Sequence, residues 1–252
     1  MKDGKIESDE CKDLAAVLMD LGALDQLDSR GAECIICTED RRKSAIESCI
    51  NSINMSDKVK VISYNGISNA ASAVAIKAMC ELLPKHPIVI IHRDRDFLID
   101  QEINAWGAEY RNRGMHIFSP PMCDVESYYC LPVHISSVYG ISEEMAVQIL
   151  EEVISQNEVE LREKFRSKRR EANLKFWKDG GGPGTAELWP ESEPARLSCA
   201  YGKALISKLN DRMKDHPGGR KSLVAIPNAE LARLLRNALV EAGIELSAHS
   251  LQ

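Results

Sequence analysis

The strongest chemical signal in the chain is a pair of carboxylates directly after an apolar run. The run 87–91 leads into Asp94-x-Asp96, and a second run, 33–38, is followed by Glu39. Two carboxylates on one short turn can both reach a single hard cation. Mg²⁺ takes one or two carboxylates and keeps waters that bridge to phosphates. We therefore expect a divalent-ion site to which Glu39 adds a ligand or a general base; the alternative is a set of solvated loop acids.

The apolar spacing around these acids predicts strands that alternate with helices. We expect strands near 33–38, 58–64, 87–91 and 115–118, and helices near 14–27, 41–53, 67–83 and 99–113. This alternation implies βαβ crossovers and a parallel sheet with helices on both faces. Ligands of such sheets bind beyond the carboxyl ends of the strands, which is where Glu39, Asp94 and Asp96 fall.

The second half of the chain has helical rather than strand periodicity. One long charged helical stretch is expected over 142–178, a flexible connection over 179–194, and two further helices near 202–215 and 228–242. The predicted organisation is an N-terminal helical segment (1–30), a catalytic core (31–135) and a helical C-terminal region (136–252).

Composition narrows the class of protein. The 252 residues are 44% hydrophobic and 28% charged, which excludes a disordered chain. The longest apolar stretches are far below the roughly 20 residues of a membrane span, and the polar N-terminus lacks a secretory signal. A cytoplasmic protein with eight reduced cysteines is therefore expected. The net charge of −6 argues against coating nucleic acid everywhere but allows a local basic surface.

Two segments, Ile35–Glu39 and Ile88–Asp96, together resemble the Toprim domain of topoisomerases, primases and OLD (overcoming lysogenization defect) nucleases. The hallmark of that domain is a Glu after the first strand and Asp-x-Asp after the third, which bind Mg²⁺. Three further segments resemble the OLD branch: Leu18–Gly22, Asp124–Tyr128 and Tyr201–Leu205. The resemblance implies an α/β fold with a Toprim-like parallel sheet of about four strands flanked by helices, and a helical C-terminal extension.

The resemblance also implies residue roles. Glu39, Asp94 and Asp96 would hold one or two Mg²⁺ or Mn²⁺ ions, Glu126 would add a ligand, and Lys203 would aid phosphodiester cleavage. The family reads Glu-Gly-x-Ser/Thr-Asp after the first strand, whereas this chain reads Glu39-Asp40-Arg-Arg-Lys, so Asp40 stands in for the second acid.

The function that follows is a metal-dependent nuclease acting on DNA or RNA, tRNA included. No Walker A motif is present, so the resemblance implies a separate OLD-type ATPase partner and a role in antiphage defence. Whether the chain is a monomer or a homodimer is left open. One alternative is an inactive Toprim-like regulatory or scaffold subunit. A second is a nucleotide-sugar transferase that uses Asp-x-Asp.

Nucleic-acid contact requires positive charge outside the acidic pocket. The basic candidates are Arg93 and Arg95 beside the acids, and Arg166, Lys168, Arg169 and Arg170 in the long helical stretch. Such residues can track phosphates, and the aromatic residues between them can stack on bases. The alternative is a solvated helix face, with Arg93 and Arg95 paired to the acids.

Overall fold

The computed structural model describes residues 31–216 and 221–246. The predicted helix 14–27, the segment 1–30 and Leu18–Gly22 lie outside the described residues.

Four short strands form one parallel sheet, as the sequence predicts. They are β1 (Cys34–Thr38), β2 (Val59–Ser63), β3 (Ile88–His92) and β4 (His116–Phe118), in the order β2-β1-β3-β4. β1 is buried along its whole length and β3 almost so, because each has a neighbour on both sides. Their continuous apolar sequences fit that central position. Cys37 of β1 pairs with Ile91 of β3, so the two strands end side by side.

Helices account for most of the rest of the described chain. In chain order they are α1 (Ser44–Ser52), α2 (Ala71–Cys80), α3 (Asp100–Arg111), α4 (Pro132–Tyr139), α5 (Glu143–Gln156), α6 (Glu158–Phe176), α7 (Thr185–Leu188), α8 (Gly202–Met213) and α9 (Ala229–Glu241). Four 3₁₀ helices lie between them, at Ile67–Asn69, Val125–Cys130, Leu197–Cys199 and Leu223–Ala225. The sheet flanked by helices and the helical C-terminal part agree with the predicted fold class.

The predicted helical stretch over 142–178 is helical in the structure but is interrupted at one position. Asn157 leaves helical geometry, with φ −114° and ψ 12°, and its side-chain amide donates to the Val153 carbonyl 2.7 Å away. Asparagine competes for backbone hydrogen bonds in this way and so interrupts helices. The stretch is therefore two helices, and Glu158 and Glu160 stabilise the N-terminal end of the second.

The chain forms two compact units. The first contains the described residues up to Arg93, residues 106–119 and the described residues from Ala232, and it holds the whole sheet. The second contains residues 94–105 and 120–231. Within it, α5 packs against α4 and α8, and α8 packs against the 3₁₀ helix Val125–Cys130. The sequence predicts boundaries after residues 30 and 135, which divide the chain into consecutive segments. The two compact units are instead each built from several segments, so these boundaries stay a prediction.

The thiols are consistent with a reduced protein. Seven cysteines fall within the described residues, and all seven are buried and free of disulfide bonds. In the same part of the chain, no helix combines the length and the apolar character needed to cross a bilayer.

Candidate active site

In the first unit, the carboxyl ends of β1 and β3 are joined by polar side chains. Thr38 Oγ1 and His92 Nδ1 are hydrogen-bonded at 2.9 Å, and Thr38 Oγ1 also accepts from the Asp40 backbone N–H at 3.2 Å. The Gly66 N–H donates to the Glu39 carbonyl at 2.8 Å. Asp40 and His92 each place a potential metal-ligating atom within 4.8 Å of the other. Glu39 and Asp40 thus lie directly beyond β1, as the sequence predicts.

In the second unit, Asp94 is an almost fully buried carboxylate that contacts a backbone N–H and a lysine side chain. It follows the end of β3 by two residues and is 4% exposed. Its Oδ1 accepts from the Val125 N–H at 3.1 Å, and its Oδ2 lies 3.1 Å from Lys203 Nζ. A carboxylate taken out of water at this depth requires such partners.

Asp96 lies on a turn with an unusual backbone. Asp96 and Phe97 have φ values of 49° and 63°, two consecutive residues in the left-handed region that glycine favours. Each such residue costs about 1–3 kcal/mol, which the surrounding contacts must offset, and such strain clusters at functional sites. Here the Asp96 N–H donates to the Cys123 carbonyl at 2.9 Å, and Arg169 Nη1 donates to the Phe97 carbonyl at 3.1 Å.

Tyr201 fixes the Asp96 carboxylate. Its hydroxyl donates to Asp96 Oδ1, and its ring meets the Phe97 ring edge to face with centroids 5.0 Å apart. Burial raises the pKa of Tyr201, and the negative charge of Asp96 raises it further. Tyr201 therefore stays protonated and acts as a hydrogen-bond donor.

Lys203 connects Asp94 to the predicted third acid of this unit. Its ammonium lies 3.1 Å from Asp94 Oδ2 and 3.7 Å from Glu126 Oε2. The Lys203 side chain is 46% exposed, whereas those of Asp94 and Glu126 are 6% and 17% exposed. The ammonium thus approaches the two carboxylates from the solvent side.

Asp124 holds together the two segments that carry Glu126 and Lys203. It is fully buried, its Oδ1 accepts from the N–H groups of Ser127 and Gly202, and its Oδ2 accepts from the Lys203 N–H at 3.1 Å. It thereby caps both the 3₁₀ helix Val125–Cys130 and α8. Burial raises the pKa of Asp124, against the hydrogen bonds from Ser127 and Lys203 that lower it.

The start of α8 lies against the 3₁₀ helix so closely that residue 202 must be glycine. A Cβ at Gly202 would lie 2.0 Å from Ser127 N and 2.3 Å from the Glu126 carbonyl carbon. These are backbone atoms that cannot rotate away. The missing side chain of Gly202 therefore sets the distance between Lys203 and Glu126.

A buried ion pair supports the Asp96 turn from behind. Arg169 and Glu102 are both inaccessible to solvent and form a bidentate pair at 2.6 and 2.9 Å. Trp177 Nε1 also donates to Glu102 Oε1 at 2.7 Å. Two parallel N–H···O bonds fix the guanidinium plane, so Arg169 can hold the Phe97 carbonyl in place.

The second unit brings four of the predicted site residues together. Asp94 and Glu126 both contact Lys203, and Asp96 is bonded to Tyr201, two residues before Lys203. Glu39 and Asp40 belong to the first unit, and their predicted action with the others stays a prediction from strand order.

Two of the predicted nucleic-acid contacts are corrected by the structure. Arg169 is wrong because it is fully buried in the pair with Glu102. Arg93 is wrong because it is 5% exposed, with its guanidinium 4.9 Å from the Trp106 ring centroid.

The other basic candidates keep at least part of their surface. Arg170 is exposed, Arg166 is exposed and paired with Glu191, and Lys168 pairs with Glu171 one helical turn away. Arg95 is mostly buried and is paired with Asp100 at 2.6 Å. Nucleic-acid contact by these four residues stays a prediction.

Sequence reasoning missed two residues that build the site, Asp124 and Glu102, and it assigned Arg169 to nucleic-acid contact rather than to the pair with Glu102. Asp124 had a local signal, because Asp124-x-x-Ser127 is typical of a helix N-cap. Glu102 and Arg169 had none, because they are 67 positions apart and their pairing depends on the fold.

Asp94, Asp96 and Glu126 offer carboxylate oxygens, which are the ligands that Mg²⁺ and Mn²⁺ accept. Their joint coordination of one divalent ion stays a prediction.

Comparison with known proteins yields no relative: no protein-family model, no curated protein and no solved structure matches the chain. The resemblance to Toprim and OLD nucleases therefore rests on the motifs alone.

Proposed function

We propose that the protein is a metal-dependent nuclease that hydrolyses phosphodiester bonds in DNA or RNA. The observation that carries the proposal is the arrangement at the start of α8. There, Lys203 contacts Asp94 and Glu126, and Tyr201 contacts Asp96. Three carboxylates suit a divalent ion, and an adjacent, half-exposed ammonium suits the phosphate that such an ion attracts.

Each site residue has a defined task in this proposal. When bound, the divalent ion supplies Lewis acidity to the scissile phosphate. Lys203 donates to a non-bridging phosphate oxygen and offsets the charge that develops there. Tyr201 keeps Asp96 oriented, and Asp124 keeps the backbone of Lys203 in register with the segment of Glu126.

The scaffold alternative is favoured by one specific observation. The Lys203 ammonium already offsets part of the charge of Asp94 and Glu126, at 3.1 and 3.7 Å. Such a network is electrostatically stable without a metal ion. In that case the carboxylates and the lysine join the α8 start to its neighbours and perform no chemistry.

The decisive experiment measures cleavage of plasmid DNA and of tRNA with Mg²⁺ or Mn²⁺. We expect the wild-type protein to cut at least one of them, and EDTA to abolish cutting. Asp94→Asn should reduce cleavage to the EDTA level. Asp211→Asn makes the same change on an exposed residue of α8 and should leave cleavage unchanged.

Lys203→Gln separates the two functions. For a nuclease, it should lower the cleavage rate about 10²–10³-fold, as loss of one charge-stabilising donor does. Mn²⁺ binding, measured by electron paramagnetic resonance, should persist because the carboxylates remain. If the wild-type protein binds no Mn²⁺ and cuts neither substrate, the scaffold function replaces the nuclease.

The wider context follows from the resemblance and belongs to the same proposal. A separate OLD-type ATPase would control the nuclease, the setting would be antiphage defence, and the location would be cytoplasmic. Adding such an ATPase to the cleavage assay tests the first of these.

A further inference from the structure

We propose that a basic groove along the C-terminal half of α6 binds single-stranded nucleic acid, with one base stacked on Trp177. The inference rests on the proposed function and names its substrate class. The groove has a volume of about 590 Å³, and Arg166, Arg170, Trp177 and Lys178 are among its lining residues. Small-molecule sites have volumes of about 300–1,000 Å³, and this groove falls within that range.

The helix places these lining residues on one face. Arg166 and Arg170 are four positions apart, which is about one turn, and Trp177 directly follows the last helical residue, Phe176. At 1.5 Å per residue, Arg166 and Arg170 lie about 6 Å apart along the axis, and Lys178 lies beyond the helix end. Positive charge spread over this length matches several phosphates of a strand better than the phosphate of one mononucleotide.

Trp177 is a fixed platform rather than a mobile surface ring. Its indole N–H donates to the buried Glu102 at 2.7 Å. A Cβ at Gly182 would lie 2.7 Å from Trp177 Cγ, so the glycine-rich loop lies directly against the ring. The residue is only half-buried, which leaves part of the indole accessible in the groove. A ring that is already oriented loses little entropy when a base stacks on it.

Two of the three cations are available for phosphates. Arg170 and Lys178 are exposed, and neither forms a salt bridge within the described residues. Arg166 is paired with Glu191, which offsets its charge. Asn173 also lines the groove, but its amide is used internally, by Arg169 and by the Pro183 carbonyl. The binding energy should therefore come from Arg170, Lys178 and Trp177.

The platform favours a single strand over a duplex. Bases in a duplex are stacked on each other, and only an unpaired base can offer its face to an aromatic side chain. A strand that enters the groove must therefore be single-stranded DNA, single-stranded RNA or an unpaired end.

The test is the fluorescence anisotropy of a labelled ten-nucleotide oligothymidylate in EDTA, where no cleavage occurs. Arg170→Glu and Lys178→Glu should each weaken binding about tenfold, because each replaces a phosphate contact with a repulsive charge. Lys175→Glu is the matched control. It makes the same charge change on an exposed residue of α6 that does not line the groove, and it should change binding less than about twofold. If all three variants weaken binding equally, the oligonucleotide does not bind specifically in this groove.

Tryptophan fluorescence reports on the platform. Trp106 and Trp189 are 8% and 2% exposed, so quenching by the oligonucleotide should come from Trp177 and disappear in Trp177→Phe. A mononucleotide or a duplex of the same length should bind at least about tenfold more weakly than the single strand. If either binds as tightly, the assignment to a single strand is wrong.

Failure of the groove and failure of the nuclease give different results. If the protein binds the oligonucleotide through Arg170 and Lys178 but cuts nothing, the groove proposal stands and the nuclease proposal is wrong. A protein that cuts nucleic acid while both charge reversals bind as the wild type does retains the activity and loses the groove.

Discussion

At the scale of single residues, the smallest side chain in the site carries the strictest requirement. Gly202 has an ordinary backbone conformation, so its role is not conformational freedom. Its role is to leave room, because the backbone of Glu126 and Ser127 occupies the place where a Cβ would be. The distance between Lys203 and the carboxylates depends on that close approach.

Gly202→Ala should therefore destabilise the protein and also reduce its activity. The α8 start must move away from backbone atoms that cannot adapt, at a cost of about 1–3 kcal/mol or more in the free energy of unfolding. Urea denaturation measures this loss. Gly184→Ala is the control, since nothing lies within 4 Å of its added Cβ and its φ of −67° is ordinary. It should change stability by no more than about 0.5 kcal/mol.

Glu102 supports a prediction about pH. Burial alone would raise the pKa of Glu102, but hydrogen bonds from Arg169 and Trp177 and the charge of Arg169 lower it overall. A carboxylate with a lowered folded pKa stabilises the protein above its unfolded pKa, and this contribution is lost as the pH falls through the folded value. The contribution should therefore be complete at neutral pH and decline below the ordinary value of 4.5.

Glu102→Gln should lower the free energy of unfolding by about 3 kcal/mol at pH 7, because it leaves the buried Arg169 without its counter-charge. The difference from the wild type should shrink as the pH is lowered below 4.5. Glu160→Gln removes an exposed pair with Lys208 and should cost less than about 1 kcal/mol at every pH. If both variants show the same pH profile, Glu102 does not have the role assigned to it.

At the scale of elements, sequence patterns predicted best where the cause is local. Apart from Thr38 and His92 at their carboxyl ends, β1 and β3 consist of Ile, Val and Cys, and the structure places them at the centre of the sheet. The sequence did not predict the helix break at Asn157, because the apolar periodicity of the chain continues on both sides of that residue. The short 3₁₀ helix Val125–Cys130 was also missed, because its position depends on hydrogen bonds to α8, more than seventy residues later.

The joint cap by Asp124 gives the prediction at this scale. In the wild-type protein, both oxygens of Asp124 accept hydrogen bonds from backbone N–H groups. In Asp124→Asn, the side-chain NH₂ group must therefore face a backbone N–H. An unsatisfied buried group of this kind costs about 1–3 kcal/mol. Both the free energy of unfolding and the cleavage rate should fall, because the segments of Glu126 and Lys203 separate.

Ser142→Ala is the matched test of an ordinary cap. Ser142 accepts from the Met145 N–H at the start of α5, away from the site residues. Its loss should cost about 1 kcal/mol in stability and leave cleavage unchanged. Equal effects of the two variants on cleavage would show that Asp124 is only a structural cap.

At the scale of the whole molecule, the sequence predicted the residues that could do chemistry but not the buried residues that hold them in place. The acids Asp94, Asp96 and Glu126 and the lysine were visible as residue types in short motifs. The pair of Arg169 and Glu102 was not, and Arg169 was mistaken for a surface residue because it lies in a basic run. Whether a charged helix residue faces solvent or a buried partner depends on packing, which the charge pattern alone does not contain.

The thiols give a prediction for the molecule as a whole. Burial raises the pKa of Cys34 to about 12 and that of Cys80 to about 11, and the other described cysteines are also buried. All seven described thiols should resist alkylation in the native protein at pH 8 because burial keeps the reagent away, and they should react fully after denaturation. At Cys34 and Cys80 the raised pKa also lowers the amount of thiolate, which is the reactive form. Iodoacetamide labelling followed by peptide mass spectrometry measures each site separately. Rapid native labelling of Cys34 or Cys80 would mean that the core around β1 and α2 opens in solution, and the sheet could not then hold Glu39 and Asp40 in fixed positions.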